Sequence, residues 1–180
     1  MAICPFALWL PVKMPVKERQ LEHFRNTPRG FMLHISSSRD NTLQGIQNTF
    51  SNKKEDGGNP FPTHFAITTD GAIGQFIDTK YHCWSAEWTV SYFSVECAAT
   101  SGDSLTYSQL GTAAQLYAWL NEEHKIKIKL AANMTDEGLT YHSMGKSGHP
   151  FCPGIAVINQ REQLVELTNY TVENQASPIF

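Results

Sequence analysis

The chain has 180 residues, 41% of them hydrophobic and 17% charged, which is enough for one sizeable core and too short to favour two domains. A formal net charge of −3 and a pI near 6.1 argue against nucleic acid or an anionic membrane as partner, and like charges cluster no further than pairs such as Lys53-Lys54. No apolar run approaches the length of a membrane span, and the four cysteines (Cys4, Cys83, Cys97, Cys152) form no C-x-x-C pair, so they read as reduced thiols with one of them a candidate metal ligand.

Residues 1–30 read as a proline-punctuated arm with a short helix predicted over 16–24. Its apolar start is broken by Pro5 and Pro11 and lacks a basic leading segment and a small-residue cleavage site. No signal peptide is therefore expected, and synthesis in the cytoplasm is. Residues 31–37 (FMLHISS) have the length and apolar character of a buried strand. Asp40 or Asn41 is the expected cap of a helix carrying Leu43, Ile46 and Phe50 at helical spacing. Residues 53–62, rich in Lys, Asp, Gly and Pro, read as a loop.

A hairpin follows, with strands over 63–69 and 72–78 joined by Asp70-Gly71, a pair that suits a type I′ turn. Residues 93–99 read as another buried strand. Leu110, Ala113, Leu116, Tyr117 and Leu120 mark an amphipathic helix over 106–123. Apolar residues alternate with lysine over 126–131, an edge-strand pattern. A glycine-rich loop over 141–154 leads into a last helix over 157–167. The order predicts a mixed sheet with helices packed on it, in a single α/β or α+β domain.

Of the seven histidines, His23 and His124 fall on expected helix surfaces and are assigned no role. His34 interrupts a strand that otherwise reads as buried, and a buried imidazole needs a partner for each ring nitrogen. His142 and Cys152 lie ten residues apart before Pro153-Gly154, an imidazole and a thiol of the kind zinc favours. His149-x-x-Cys152 is an equally allowed pair, and spacing leaves the choice open. Glu96 stands in FSVECAA, where a carboxylate is costly to bury without a reason. It is either a salt-bridge partner of a core Lys or Arg, or a general base tuned by burial.

Taken in order, FMLHISSS, a capped helix, T-H-F-A-I-T-T-D-G-A-I-G-Q-F, C-W-S-A, S-V-E-C, a long helix and Y-H-S-M-G-K-S-G-H-P-F-C-P-G resemble the type-2 N-acetylmuramoyl-L-alanine amidases. That fold is shared by phage amidase endolysins, muropeptide-recycling amidases and peptidoglycan-recognition proteins. The resemblance runs from about Phe31 to Leu167. It implies an α/β fold with a central mixed β-sheet flanked by helices, and an amidase domain over 31–170 between the arm and a tail at 171–180.

The resemblance also implies Zn2+ held by His34, His142 and Cys152, with Glu96 as catalytic base and Trp84 in the segment lining the substrate groove. Two positions depart from the family. Ser85 stands where the family has histidine, and Pro150 where several members have a catalytic lysine; His149 or Lys146 is expected to replace that lysine. The implied reaction is hydrolysis of the amide between N-acetylmuramic acid and L-alanine in peptidoglycan or muropeptides. The alternative is a non-catalytic muropeptide-binding module, although such proteins typically lose the cysteine ligand. The settings implied are an endolysin, a recycling enzyme or an antibacterial effector that meets an immunity or inhibitor protein. In the first and last, the protein acts in the periplasm or on the cell wall after release or injection.

Overall fold

The computed structural model describes residues 2–12, 27–51, 62–83, 85–86, 91–145 and 148–175. The helix expected over 16–24, nearly all of the 53–62 loop, Trp84, Trp88 and Lys146 lie outside the described residues. In chain order the elements are β1 (Leu8–Trp9), β2 (Gly30–Ile35), α1 (Leu43–Ser51), β3 (Phe65–Ile67), β4 (Ile73–Gln75), β5 (Tyr92–Cys97), α2 (Tyr107–His124), β6 (Gly138–Tyr141), a 3-10 turn (His142–Met144), α3 (Ile155–Asn159) and α4 (Arg161–Gln175). The six strands form one mixed sheet in the order β1-β4-β3-β5-β2-β6, in which only the β3–β4 pair is antiparallel.

Strand side chains alternate between faces, and here the alternation separates packing from chemistry. Phe31, Leu33 and Ile35 of β2, Phe65 and Ile67 of β3, and Phe93, Val95 and Cys97 of β5 join one core with Leu110, Leu116, Tyr117 and Leu120 of α2. Each such side chain contributes about 1.5–3 kcal/mol on burial. The other face carries Met32 and His34, Ser94 and Glu96, and Ala66. The register pairs His34 with Glu96 and Glu96 with Ala66, so these residues occupy one rung across three strands.

α2 begins where the sequence places it, because Thr106 and Gln109 complete a reciprocal capping box. Several expectations need correction. The cap of α1 is Thr42, whose Oγ1 accepts the Gly45 N–H at 3.0 Å, rather than Asp40 or Asn41. The hairpin turn is not type I′: the Gly71 N–H bonds the Thr68 carbonyl at 2.9 Å, so Thr69 and Asp70 are the central residues. Gly71, at φ 89°, takes the left-handed position that follows such a turn.

Residues 126–131 pack on the core but pair with the sheet only through a bridge between Leu130 and Leu139. The carbonyls of Ile126 and Lys127 are taken by Asn121 Nδ2 and Tyr117 Oη of α2 and are lost to a ladder. The last helix is two helices, and the arm contributes β1 as an edge strand. His124 is half-buried rather than on an open surface; its ring lies 4.6 Å from Phe93 and Nε2 meets Thr79 Oγ1 at 2.8 Å.

Candidate metal centre

Three donors converge at the C-terminal ends of parallel strands. His34 comes from the penultimate position of β2, His142 follows β6 directly, and Cys152 lies on the loop before α3. One ligand atom from each falls within 4.8 Å of the others, and no other such group of His, Cys, Asp and Glu occurs among the described residues. The imidazoles of His34 and His142 face each other at 4.6 Å between centroids, and both are buried.

The backbone holds the loop in place. The Ser143 N–H donates to the Cys152 carbonyl at 2.9 Å, and the Cys152 N–H to the His149 carbonyl at 3.1 Å. Gly154, at φ 92°, brings its backbone against Ser101; a Cβ there would lie 2.1 Å from the Ser101 carbonyl oxygen. Behind β6, Arg161 stacks its guanidinium 4.7 Å from the Tyr141 ring, beside His142.

The donor set fits a zinc ion. His34 Nε2 is buried with no hydrogen-bond partner, and Nδ1 faces Cys152 Sγ at 4.0 Å, so the ring lacks the partners that normally offset imidazole burial. Burial first, then His142 and His149, holds His34 well below the ordinary histidine range, in the neutral form that ligates metals. Burial and then the nearby Glu96 push the Cys152 thiol up to about 12. A bound dication is the counter-charge that would reverse that shift. Two imidazoles and one sulfur suit zinc over magnesium or calcium.

Glu96 shares the rung with His34. Its side chain keeps a partial opening to solvent yet lies deep among protein atoms, and burial pushes its carboxyl up to about 7. It has no ion pair or hydrogen bond among the described residues, so nothing there supports the salt-bridge reading.

His149 is exposed beside the cluster, its ring 5.3 Å from that of His142. It does not belong to the converging set, which leaves three donors rather than four. Ser85 is buried and Pro150 exposed. A groove of about 540 Å³ reaches Cys152 and is lined by Ile35, Ser37, Thr100, Ser101 and the stretch 148–152.

One polar network went unforeseen. His64, Cys83 and Ser94 are buried on the same sheet face, with Cys83 Sγ 3.1 Å from both His64 Nδ1 and Ser94 Oγ. This network ties Cys83 to Ser94, on the sheet face that also carries Glu96. All four cysteines are free thiols.

The sequence pattern of the N-acetylmuramoyl-L-alanine amidase family matches residues 24–155. Comparison with curated protein sequences finds no match. Among solved structures the chain is similar to the N-acetylmuramoyl-L-alanine amidase LysC from Clostridium intestinale, at 17% identity and a TM-score of 0.64 over 92% of this chain and 99% of that one. It is also similar to the PlyG catalytic domain, at 17% identity and a TM-score of 0.68 over 96% and 99%. The Drosophila peptidoglycan recognition protein SA aligns at 14% identity and a TM-score of 0.63 over 81% and 85%. At these identities the structural likeness is one of fold.

Proposed function

Because the chain belongs to the N-acetylmuramoyl-L-alanine amidase family, we propose that it hydrolyses the amide joining N-acetylmuramic acid to L-alanine in peptidoglycan, with zinc held by His34, His142 and Cys152. The observation that supports this reading is the pairing of Glu96 with His34 in register, beside a cluster of three donors. When bound, zinc would supply Lewis acidity at the scissile carbonyl and lower the pKa of water. Glu96 takes the proton of the attacking water on a carboxylate oxygen and passes it to the departing alanine nitrogen. A carboxyl raised to about 7 is matched to both halves of that task near neutral pH.

His149, exposed beside His142, is proposed to donate a hydrogen bond to the oxygen that gains charge during attack. One such donor is worth about 2.7–4 kcal/mol. Trp84, in the segment that lines the groove in the family, and Lys146, as a replacement for the family's lysine, are proposed to contact substrate. The likeness to a peptidoglycan recognition protein raises a binding-only role, against which stand the complete donor set and the carboxylate.

Digestion of purified sacculi tests the proposal. Free stem peptides with an L-alanine amino terminus, formed without chelator and absent with it, are the expected products. Sacculi bound but left uncut would leave only the binding role.

A further inference from the structure

A cation at the start of a helix faces the positive end of the helix dipole and needs another reason to stand there. Arg161 opens α4 in this way, and it enters no ion pair with a described residue. Its guanidinium spans two elements instead. Nε donates to the Ile158 carbonyl at 3.2 Å, near the end of α3, and Nη1 reaches the Leu139 carbonyl of β6 at 3.5 Å. The same group lies 4.7 Å from the ring centre of Tyr141, the last residue of β6.

Those two elements flank the two later donors. β6 runs directly into His142, and α3 begins at Ile155, just after Cys152-Pro153-Gly154. Within the loop between them, the Ser143 N–H on the Cys152 carbonyl joins the two donor segments. α3 has only five residues and cannot hold its place without tertiary ties. Val157, buried in the core, is one tie. The junction with α4 supplies the others: the Gln160 side-chain amide bonds the N–H and the carbonyl of Leu105, at 2.7 and 3.1 Å, and Arg161 bonds towards β6. A metal ion tolerates only about ±0.2 Å in its donor distances, so such ties bear on whether one ion can meet both donors.

We propose that Arg161 is a positioning residue for the donor cluster: by clamping the end of α3 to the end of β6, it holds Cys152 and His142 at the separation a single ion needs. The inference deepens the proposed zinc reading and rests on it for the link to metal affinity. The clamp itself is a property of the chain alone. Lysine could not replace the arginine, because one ammonium cannot serve two carbonyls and stack on a ring as a planar guanidinium does.

The test takes two readouts on the full chain: the zinc dissociation constant, by competition with a chromophoric chelator, and amide exchange at Ser143 in chelator-treated protein. Arg161→Met keeps the apolar stem and removes the guanidinium. It should weaken zinc binding about tenfold, at the low end of the loss seen for groups that orient ligands, and speed Ser143 exchange by about the same factor. Tyr141→Leu should do likewise, and the double variant should be no worse than either single one. Tyr141→Phe, which keeps the ring under the guanidinium, should retain wild-type values. Tyr117→Phe, which loses only its hydrogen bond to the Lys127 carbonyl, is the control for general destabilisation; it should unfold at lower urea with zinc affinity unchanged.

Wild-type Ser143 exchange in Arg161→Met would overturn the clamp, as would a loss of zinc affinity in Tyr117→Phe equal to that in Arg161→Met. A wild type that takes up no zinc, while Ser143 exchange still depends on Arg161, would instead sink the zinc reading and leave the clamp standing.

Discussion

His64 offers a measurable acid sensitivity remote from the metal cluster. Its Nε2 meets the Tyr81 carbonyl at 2.9 Å, and its Nδ1 receives the Ser94 N–H at 3.2 Å, so the ring is neutral with its proton on Nε2. A second proton would have to sit on Nδ1, against an N–H that already points there. Burial, only partly offset by the Tyr81 carbonyl, lowers this histidine from 6.5 to about 4. An unfolded chain therefore takes up the proton first as pH falls, and the stability held above 6.5 is lost on the way down through 4. At about 1.4 kcal/mol for each pH unit, the loss is about 3 kcal/mol.

The comparison is urea unfolding of wild type and His64→Asn between pH 8 and pH 4, both with chelator so that zinc affinity does not contribute. Asparagine keeps an acceptor for the Ser94 N–H and removes the titration. The variant should start less stable, by about 1–3 kcal/mol, and the difference should move by about 3 kcal/mol in its favour on acidification, closing or reversing the gap. Parallel stability curves across that range would refute the reasoning, as would an NMR titration placing His64 near 6.5.

Three other outcomes are expected. Glu96→Gln should fold and keep zinc while kcat falls about 10²–10⁴-fold, and near-normal turnover per folded, zinc-loaded molecule would remove Glu96 from the mechanism. Elemental analysis should find about one zinc per chain in wild type and in His149→Ala but little in Cys152→Ala; the reverse pattern would reassign the ligand. Thr106→Ala removes the side-chain cap of α2 and should cost about 1 kcal/mol in denaturant unfolding, whereas an unchanged midpoint would mean that the cap is redundant with helix packing.

What could be read from the sequence followed from polar residues in apolar company. His34 and Glu96 drew notice because each interrupts a buried strand, and strand pairing then places them side by side. The choice between His142 and His149 as the partner of Cys152 was not legible from spacing, because it depends on how the 148–154 loop turns back against Ser101. The hairpin turn was misread because Asp70-Gly71 suits two turn types. The selected one has Thr68 Oγ1 donating to Asp70 and to the Ala72 carbonyl, which local sequence does not rank. The alternation over 126–131 was that of a strand, but side chains of α2 claim the carbonyls a strand would need. The His64–Cys83–Ser94 network left no signal, since its members lie 11 to 30 positions apart and each is ordinary alone.

The placement of His34, Glu96 and His142 at the ends of three adjacent parallel strands divides the molecule into two kinds of territory. Strand pairing dictates where the reactive atoms stand, and a shift of one residue in β2 would turn His34 towards the helices and abolish the centre. The connections leaving those same strand ends, 36–42, 98–106 and 143–154, are bound by no such register, except where Cys152 supplies a donor and Gly154 packs against Ser101. Away from those points, exchange of residues along them can change the surroundings of the cluster while His34 and His142 keep their spacing. The surroundings can thus drift in this scaffold at a rate that the cluster cannot share.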